Sequence, residues 1–180
     1  EALARLELSP EDAMIRDVFL LSCHTGARWS DVAVLNKSQV TAETWKFEAY
    51  KTRKKKRMIT IPFVGWCAPA KTYIEKLNYS LPPFTEQHIN RRIKTIAIDA
   101  GIDEMVRTTR MSGKNQLVRE KMKCEYLSFH TGRRTFISVL VNSGKAFPAV
   151  MELTGITSYK TLMKYIHTSK KDVISELMKK

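Results

Sequence analysis

Apolar residues recur along this chain at two spacings, and the change from one to the other predicts its elements. Met14, Val18 and Leu21 fall on one face of a helix. Its start is written in Ser9-Pro10-Glu11-Asp12. Ser9 supplies an N-cap hydroxyl, Pro10 suits the first helical position because it has no N–H to satisfy, and Asp12 stands where a capping acid reaches back. Gly26 ends the run and Ser30 to Leu35 begins another helical turn, so Arg28 sits at a sharp junction between helices. Trp45, Phe47 and Ala49 then alternate with Lys46, Glu48 and Tyr50, and Ile59 and Ile61 resume the alternation. That period of two predicts a β-hairpin. Its tip lacks the Gly or Asn of a tight two-residue turn, which predicts a longer loop.

Pro69 opens a helix with Ala70, Tyr73, Ile74 and Leu77 on one side, and Leu81-Pro82-Pro83 stops the chain before the next element. Thr85 caps a long helix whose buried stripe is Ile89, Ile93, Ile96 and Ala100 and which Gly101 closes; Arg91, Arg92 and Lys94 lie largely off the stripe. Between Ile102 and Leu127 the turn Ser112-Gly113-Lys114-Asn115 separates two short extended stretches, predicting a second hairpin. Phe136, Val139 and Leu140 mark a helix after Arg133, ended by Gly144. Two short helices, about Phe147 to Leu153 and Ser158 to His167, precede a final one carrying Val173, Ile174 and Leu177. The expected fold is α+β: mainly helical with a small antiparallel sheet, residues 1–180 forming one domain.

Charge narrows the partner. With 31 Lys+Arg against 18 Asp+Glu the net charge is +13, which favours a polyanion, nucleic acid before an anionic membrane. No apolar run reaches the roughly 18 residues of a membrane span, and no signal-peptide pattern is found, so a cytoplasmic location is expected and a membrane partner is not. Cys23, Cys67 and Cys124 are spaced too widely and irregularly for a disulfide framework or a CxxC metal site. His24 beside Cys23 reads as a packing residue, and neither a metal nor a cofactor is assigned.

Three short boxes carry the chemistry. Thr25-Gly26-Ala27-Arg28-Trp29-Ser30-Asp31, then His130-Thr131-Gly132-Arg133-Arg134, then Leu153-Thr154-Gly155 followed by Tyr165, resemble in order and spacing the boxes of the tyrosine recombinase (phage integrase) family. The resemblance spans nearly the whole chain. It is to the C-terminal catalytic domain, especially that of integrases of conjugative transposons and similar mobile elements. It implies a tyrosine-recombinase-like helical bundle, with the family's N-terminal DNA-clasping domain lying outside these residues. It also implies site-specific DNA recombination or integration, in which strands are cut and rejoined through a 3′-phosphotyrosine without ATP. The implied partners are double-stranded DNA in the nucleoid, a homotetramer on synapsed DNA and an accessory DNA-bending protein. The resemblance further implies that the last helix, around Val173 to Met178, would dock on a neighbouring protomer, the alternative being packing on its own core.

Physical chemistry supports the same residues. An attacked phosphodiester gathers negative charge on its non-bridging oxygens, and arginine meets it with a permanently charged, forked donor set. Arg28 and Arg133 are the arginines in matching boxes; either alone would read as a surface or ion-pair residue. Tyr165 is the expected nucleophile, although Leu162 and Ile166 flank it at helical spacing, as in a core residue. His130 would handle protons near neutral pH, and Asp31 would orient its neighbours. The resemblance assigns the proton for the leaving 5′ oxygen to a hairpin lysine: Lys51, which precedes Thr52, fits best, with Lys54, Lys55 and Lys56 as competitors. One position departs from the family, since Ile156 stands where a His or Trp follows the closing-box Gly, and an isoleucine donates no hydrogen bond. A neighbour such as Tyr159 or His167 would have to replace that donor, or the domain binds DNA with weak or no cleavage. Strand relaxation of the type IB topoisomerase kind is a further alternative with the same covalent chemistry.

Arg53, Lys54, Lys55, Lys56, Arg57, Arg91, Arg92, Lys94 and the cations from Arg107 to Lys123 would contact DNA, mostly through phosphates. If about six to ten phosphates are neutralised, affinity for duplex DNA should fall about 10³- to 10⁵-fold between roughly 50 and 200 mM salt. Fluorescence anisotropy across that range measures it, and a flat response contradicts the electrostatic assignment.

Overall fold

The computed structural model describes residues 2–50, 57–81, 83–113 and 115–166. Helix α1 (Pro10–Thr25) begins as its sequence predicts, with Pro10 at N1 and Ser9 Oγ accepting the Asp12 N–H at 3.3 Å. The Asp12 carboxylate accepts the Ser9 hydroxyl at 3.1 Å, and both its oxygens accept from Arg92 of α4 (Glu86–Asp99), at 2.8 and 2.7 Å. Helix α1 packs against α3 (Pro69–Lys76), α4 and α5 (Phe129–Asn142). Enclosed in this way, it buries Ile15, Val18, Phe19, Leu20, Leu21 and Cys23. The expected stripe was therefore misplaced at one position: Met14 is 37% exposed, and its neighbour Ile15 is fully buried.

Two antiparallel strand pairs flank the helices. In the first, β1 (Thr44–Glu48) and β2 (Met58–Pro62) set Trp45 opposite Ile61 and Phe47 opposite Ile59. All four side chains are buried on one face, as the alternation required. The ladder continues past the strands where Ala49 N–H donates to Arg57 O at 2.9 Å. The tip cations Lys51, Arg53, Lys54, Lys55 and Lys56 lie outside the described residues, as do His167 and the expected helix from Val173 to Met178. The second hairpin, β3 (Met105–Ser112) with β4 (Asn115–Met122), turns where the sequence placed it. Several of its cations are matched by carboxylates: Arg107 by Glu120 at 3.8 Å, Lys121 by Glu125 at 3.2 Å, and Lys123 by Glu104. That surface is less positive than its lysines and arginines alone imply.

Helix α5 starts at Phe129, ahead of the expected start after Arg133, and so contains His130 and Arg133. A tertiary contact overrides the weak helix propensity of His, Thr and Gly there. Gly132 lies against α1 so closely that a Cβ would come within 2.9 Å of Ser22 Cβ and 3.2 Å of the Cys23 backbone nitrogen. The two later short helices are α6 (Phe147–Thr154) and α7 (Tyr159–Met163). Helix α7 stops short of the expected His167, so Tyr165 lies in the turn after the helix, its N–H donating to Leu162 O at 2.9 Å. Among the described residues no helix is long and apolar enough to cross a membrane.

Gly132→Ala is expected to lower stability by a net amount on the order of 1 kcal/mol. Overpacking of about 1–3 kcal/mol outweighs a helix-propensity gain of about 1 kcal/mol. Denaturant unfolding measures this, and an unchanged midpoint would show that α1 and α5 can part freely.

Candidate active site

Gly26 makes the first corner. It ends α1 in the left-handed region at φ 65°, which favours glycine, and a Cβ there would meet the Phe136 ring at 2.5 Å. The chain can then reverse into α2 (Trp29–Val32), for which Arg28 is the N-cap. The carboxylate of Asp31, 1% exposed, holds this corner. Its Oδ2 accepts the Arg28 N–H at 3.1 Å and lies 3.7 Å from Arg28 Nη1, while its Oδ1 accepts the Tyr50 N–H at 2.9 Å. One buried carboxylate thus ties the first box to the end of the first hairpin, at the residue before Lys51.

Arg133 joins two of the boxes. Its Nη1 donates to Gly26 O at 2.6 Å and its Nη2 to Thr154 O at 2.7 Å. The residue is 2% exposed, and its Nε is a buried donor without a partner among the described residues. An orphaned N–H of a buried cation is costly, and an anion entering from the cleft would remove that cost. Burial, reinforced by the Arg28 cation, pushes the Arg133 guanidinium down to about 10, against the pull of the Tyr165 oxygen and the Asp31 carboxylate. It remains charged at neutral pH.

His130 lies one turn before Arg133 on α5, and the Tyr165 hydroxyl lies 3.3 Å from His130 Nε2. With the imidazole proton on Nδ1, Nε2 accepts the phenolic hydrogen. Arg28, His130, Arg133, Ile156, Thr161 and Tyr165 line one cleft of about 350 Å³. The structure therefore brings together four of the five expected catalytic side chains, with Asp31 directly behind them. Lys51 lies outside the described residues.

The expected DNA-contacting residues are more dispersed. Arg57, at the foot of the hairpin, pairs with Glu152 at 3.1 Å. Arg92 is committed to Asp12, Arg91 lies 3.4 Å from His88 Nδ1, and Lys94 is half-buried on α4. Tyr159, suggested as a donor in place of Ile156, instead packs its ring on Phe147 with centroids 5.6 Å apart. Three cleft residues lie outside the boxes read from the sequence: Glu86, Phe129 and Thr161. For Thr161 the signal was its position four residues before Tyr165. His24 packs its ring on Trp66 and Tyr73, and among the described residues no three His, Cys, Asp or Glu side chains gather as a metal site.

Solved structures with the same fold include the XerH site-specific recombinase bound to palindromic difH substrate (TM-score 0.67, 16% identity, covering 98% of this chain and 48% of that one). Another is a lambda integrase dimer bound to a COC′ core site (TM-score 0.63, 17% identity, 91% and 55%). A third is the Tn1549 transposon integrase in complex with circular intermediate DNA (TM-score 0.58, 14% identity, 99% and 62%). The chain spans about half to three fifths of the length of these relatives. No curated protein matches it in sequence. The model of the phage integrase family matches residues 1–172, and the chain belongs to that family of tyrosine recombinases.

Proposed function

We propose that this chain is the catalytic domain of a site-specific recombinase that cleaves and rejoins duplex DNA through a 3′-phosphotyrosine at Tyr165. The observation that carries the proposal is the Tyr165 hydroxyl 3.3 Å from His130 Nε2, in a cleft shared with Arg28 and with Arg133, whose enclosed Nε has no partner among the described residues. A nucleophile, a proton acceptor and two anion-binding groups meet there. The structural relatives bound to DNA support duplex DNA as the partner.

In the proposed step Tyr165 Oη attacks the scissile phosphorus and its proton passes to His130. The P–O5′ bond breaks, and the 5′ oxygen leaves with a proton from Lys51. A 3′-phosphotyrosyl bond and a free 5′ hydroxyl result, so the bond energy is conserved and no nucleotide is consumed. Attack by a 5′ hydroxyl from another strand reverses the step and releases Tyr165. Arg28 and Arg133 stabilise the equatorial oxygens, which carry the developing charge. Asp31 positions both Arg28 and the backbone leading to Lys51 through its two accepted N–H bonds. The proposed assembly is the family's homotetramer on synapsed DNA, outside which a single copy performs only half-reactions.

A second reading, a DNA-binding module with little cleavage, is favoured by Ile156, which lines the cleft, is 4% exposed and offers no donor. A nicked suicide duplex separates the two readings. Wild type should yield a covalent protein–DNA band on a denaturing gel, and Tyr165→Phe should yield none. A band that persists in Tyr165→Phe assigns the nucleophile elsewhere, and binding without any band from wild type supports the module.

Arg133→Lys should lower single-turnover cleavage by about 10²–10³-fold at unchanged pH, because the two carbonyls are held by separate nitrogens of a planar fork, a geometry that three N–H groups diverging from a single ammonium nitrogen do not reproduce. Cleavage within a few-fold of wild type would reduce Arg133 to a point charge. Asp31→Ala should cost about 1–3 kcal/mol of folding stability for each N–H left unpartnered and slow cleavage more than Asp31→Asn, which keeps one acceptor. Denaturant unfolding alongside cleavage kinetics measures both effects, and equal behaviour of the two variants would remove the positioning role.

A further inference from the structure

The segment from Gly155 to Tyr165 forms one wall of the cleft and contributes three side chains to it: Ile156, Thr161 and Tyr165. The first is apolar and the third is the proposed nucleophile, so Thr161 is the wall's remaining hydrogen-bond donor. Its position argues against a purely local role. Thr161 is the third residue of α7, where a threonine hydroxyl can bond back to the preceding turn, and the N-cap residue, Ser158, makes no side-chain capping bond. Thr161 is exposed, and its backbone N–H bonds Ser158 O at 2.9 Å while its hydroxyl has no partner among the described residues. Leu162, next in sequence, is fully buried and anchors the helix to the core.

The demand for such a donor follows from counting. A phosphorane has two charged non-bridging oxygens, each able to accept more than one bond. Arg133 enters with one N–H of each terminal nitrogen bonded, to Gly26 O and to Thr154 O, and with Nε–H and the second N–H of each terminal nitrogen left to offer, and His130 faces the Tyr165 hydroxyl. Among the described residues, the other donor side chains lining the cleft are Arg28, Trp29 and Ser30 around α2 and His130 and Arg133 of α5, while Thr161 and Tyr165 come from the segment after Gly155; of these last two, Thr161 is the one not used as the nucleophile.

We propose that Thr161 is a further catalytic residue, whose hydroxyl donates a hydrogen bond to one non-bridging oxygen of the scissile phosphate and strengthens it as charge develops. Thr161 keeps its proton throughout. The inference rests on the recombinase reading.

The test uses the full-length protein and duplexes that it enriches from a randomised pool, nicked to trap the covalent adduct. They carry either an oxygen or one of the two phosphorothioate diastereomers at the scissile phosphate. Thr161→Val should bind the all-oxygen duplex as wild type does but cleave it about 10²-fold more slowly, while Thr161→Ser stays within a few-fold of wild type. The deficit of Thr161→Val should shrink for one diastereomer only, the one in which sulfur, a weak acceptor, replaces the oxygen that Thr161 contacts. Wild-type rates in Thr161→Val overturn the assignment, and so does a Thr161→Ser variant as slow as Thr161→Val. An equal deficit on both diastereomers does the same, since a merely structural threonine would not distinguish them. If wild type forms no adduct, the recombinase reading falls and takes this inference with it; cleavage that is indifferent to Thr161 removes only the inference.

Discussion

The arrangement of the site depends on one buried cation. Arg133, drawn from the first turns of α5, donates to the carbonyl of Gly26 at the end of α1 and to that of Thr154 at the end of α6. Both carbonyls belong to helix C-termini, where backbone oxygens lack intrahelical partners and carry partial negative charge. The guanidinium therefore meets a need that each helix has anyway, and in doing so fixes the three boxes relative to one another. Its burial is tolerated because those bonds offset part of the desolvation. The remaining Nε is enclosed and has no partner among the described residues.

Much of the surrounding packing serves that arrangement. Gly26 and Gly132 let α1 and α5 approach at distances no Cβ permits, and Gly155 does the same against Ile59, where a Cβ would lie 2.8 Å from Cδ1. These glycines stand beside Arg28, Arg133 and Ile156 in sequence because close backbone approach and a shared cleft are one geometric requirement. Asp31 extends the scaffold to the first hairpin, so the orientation of Arg28 and the backbone entering Lys51 are coupled through a single carboxylate.

The boxes were legible in the sequence because chemistry restricts residue type at fixed spacing: Arg28, His130, Arg133 and Tyr165 do meet in one cleft. The first hairpin was legible from alternation, the second from its turn at Ser112 to Asn115, and the start of α1 from Ser9 and Pro10. What failed to show depends on tertiary contact. Periodicity chose Met14 over Ile15 because α1 is covered on most sides and a single stripe no longer describes it. The early start of α5 depends on Gly132 seating against Ser22, which no local propensity encodes. Arg92 looked like a free cation of α4 until the fold brought Asp12 to it from 80 residues away. Thr161 carried no signal beyond its offset from Tyr165, since an exposed threonine on a short helix is unremarkable until the cleft is seen.

The central claim is that Arg133 keeps its two carbonyl bonds and spends its free Nε on phosphate. A crystal structure of Tyr165→Phe bound to uncleaved duplex DNA tests it most directly. The account predicts Nε at about 2.9 Å from a non-bridging oxygen of the scissile phosphate, with the bonds to Gly26 O and Thr154 O intact. An Nε still without a partner, or a guanidinium that has left those carbonyls to reach the DNA, would contradict it.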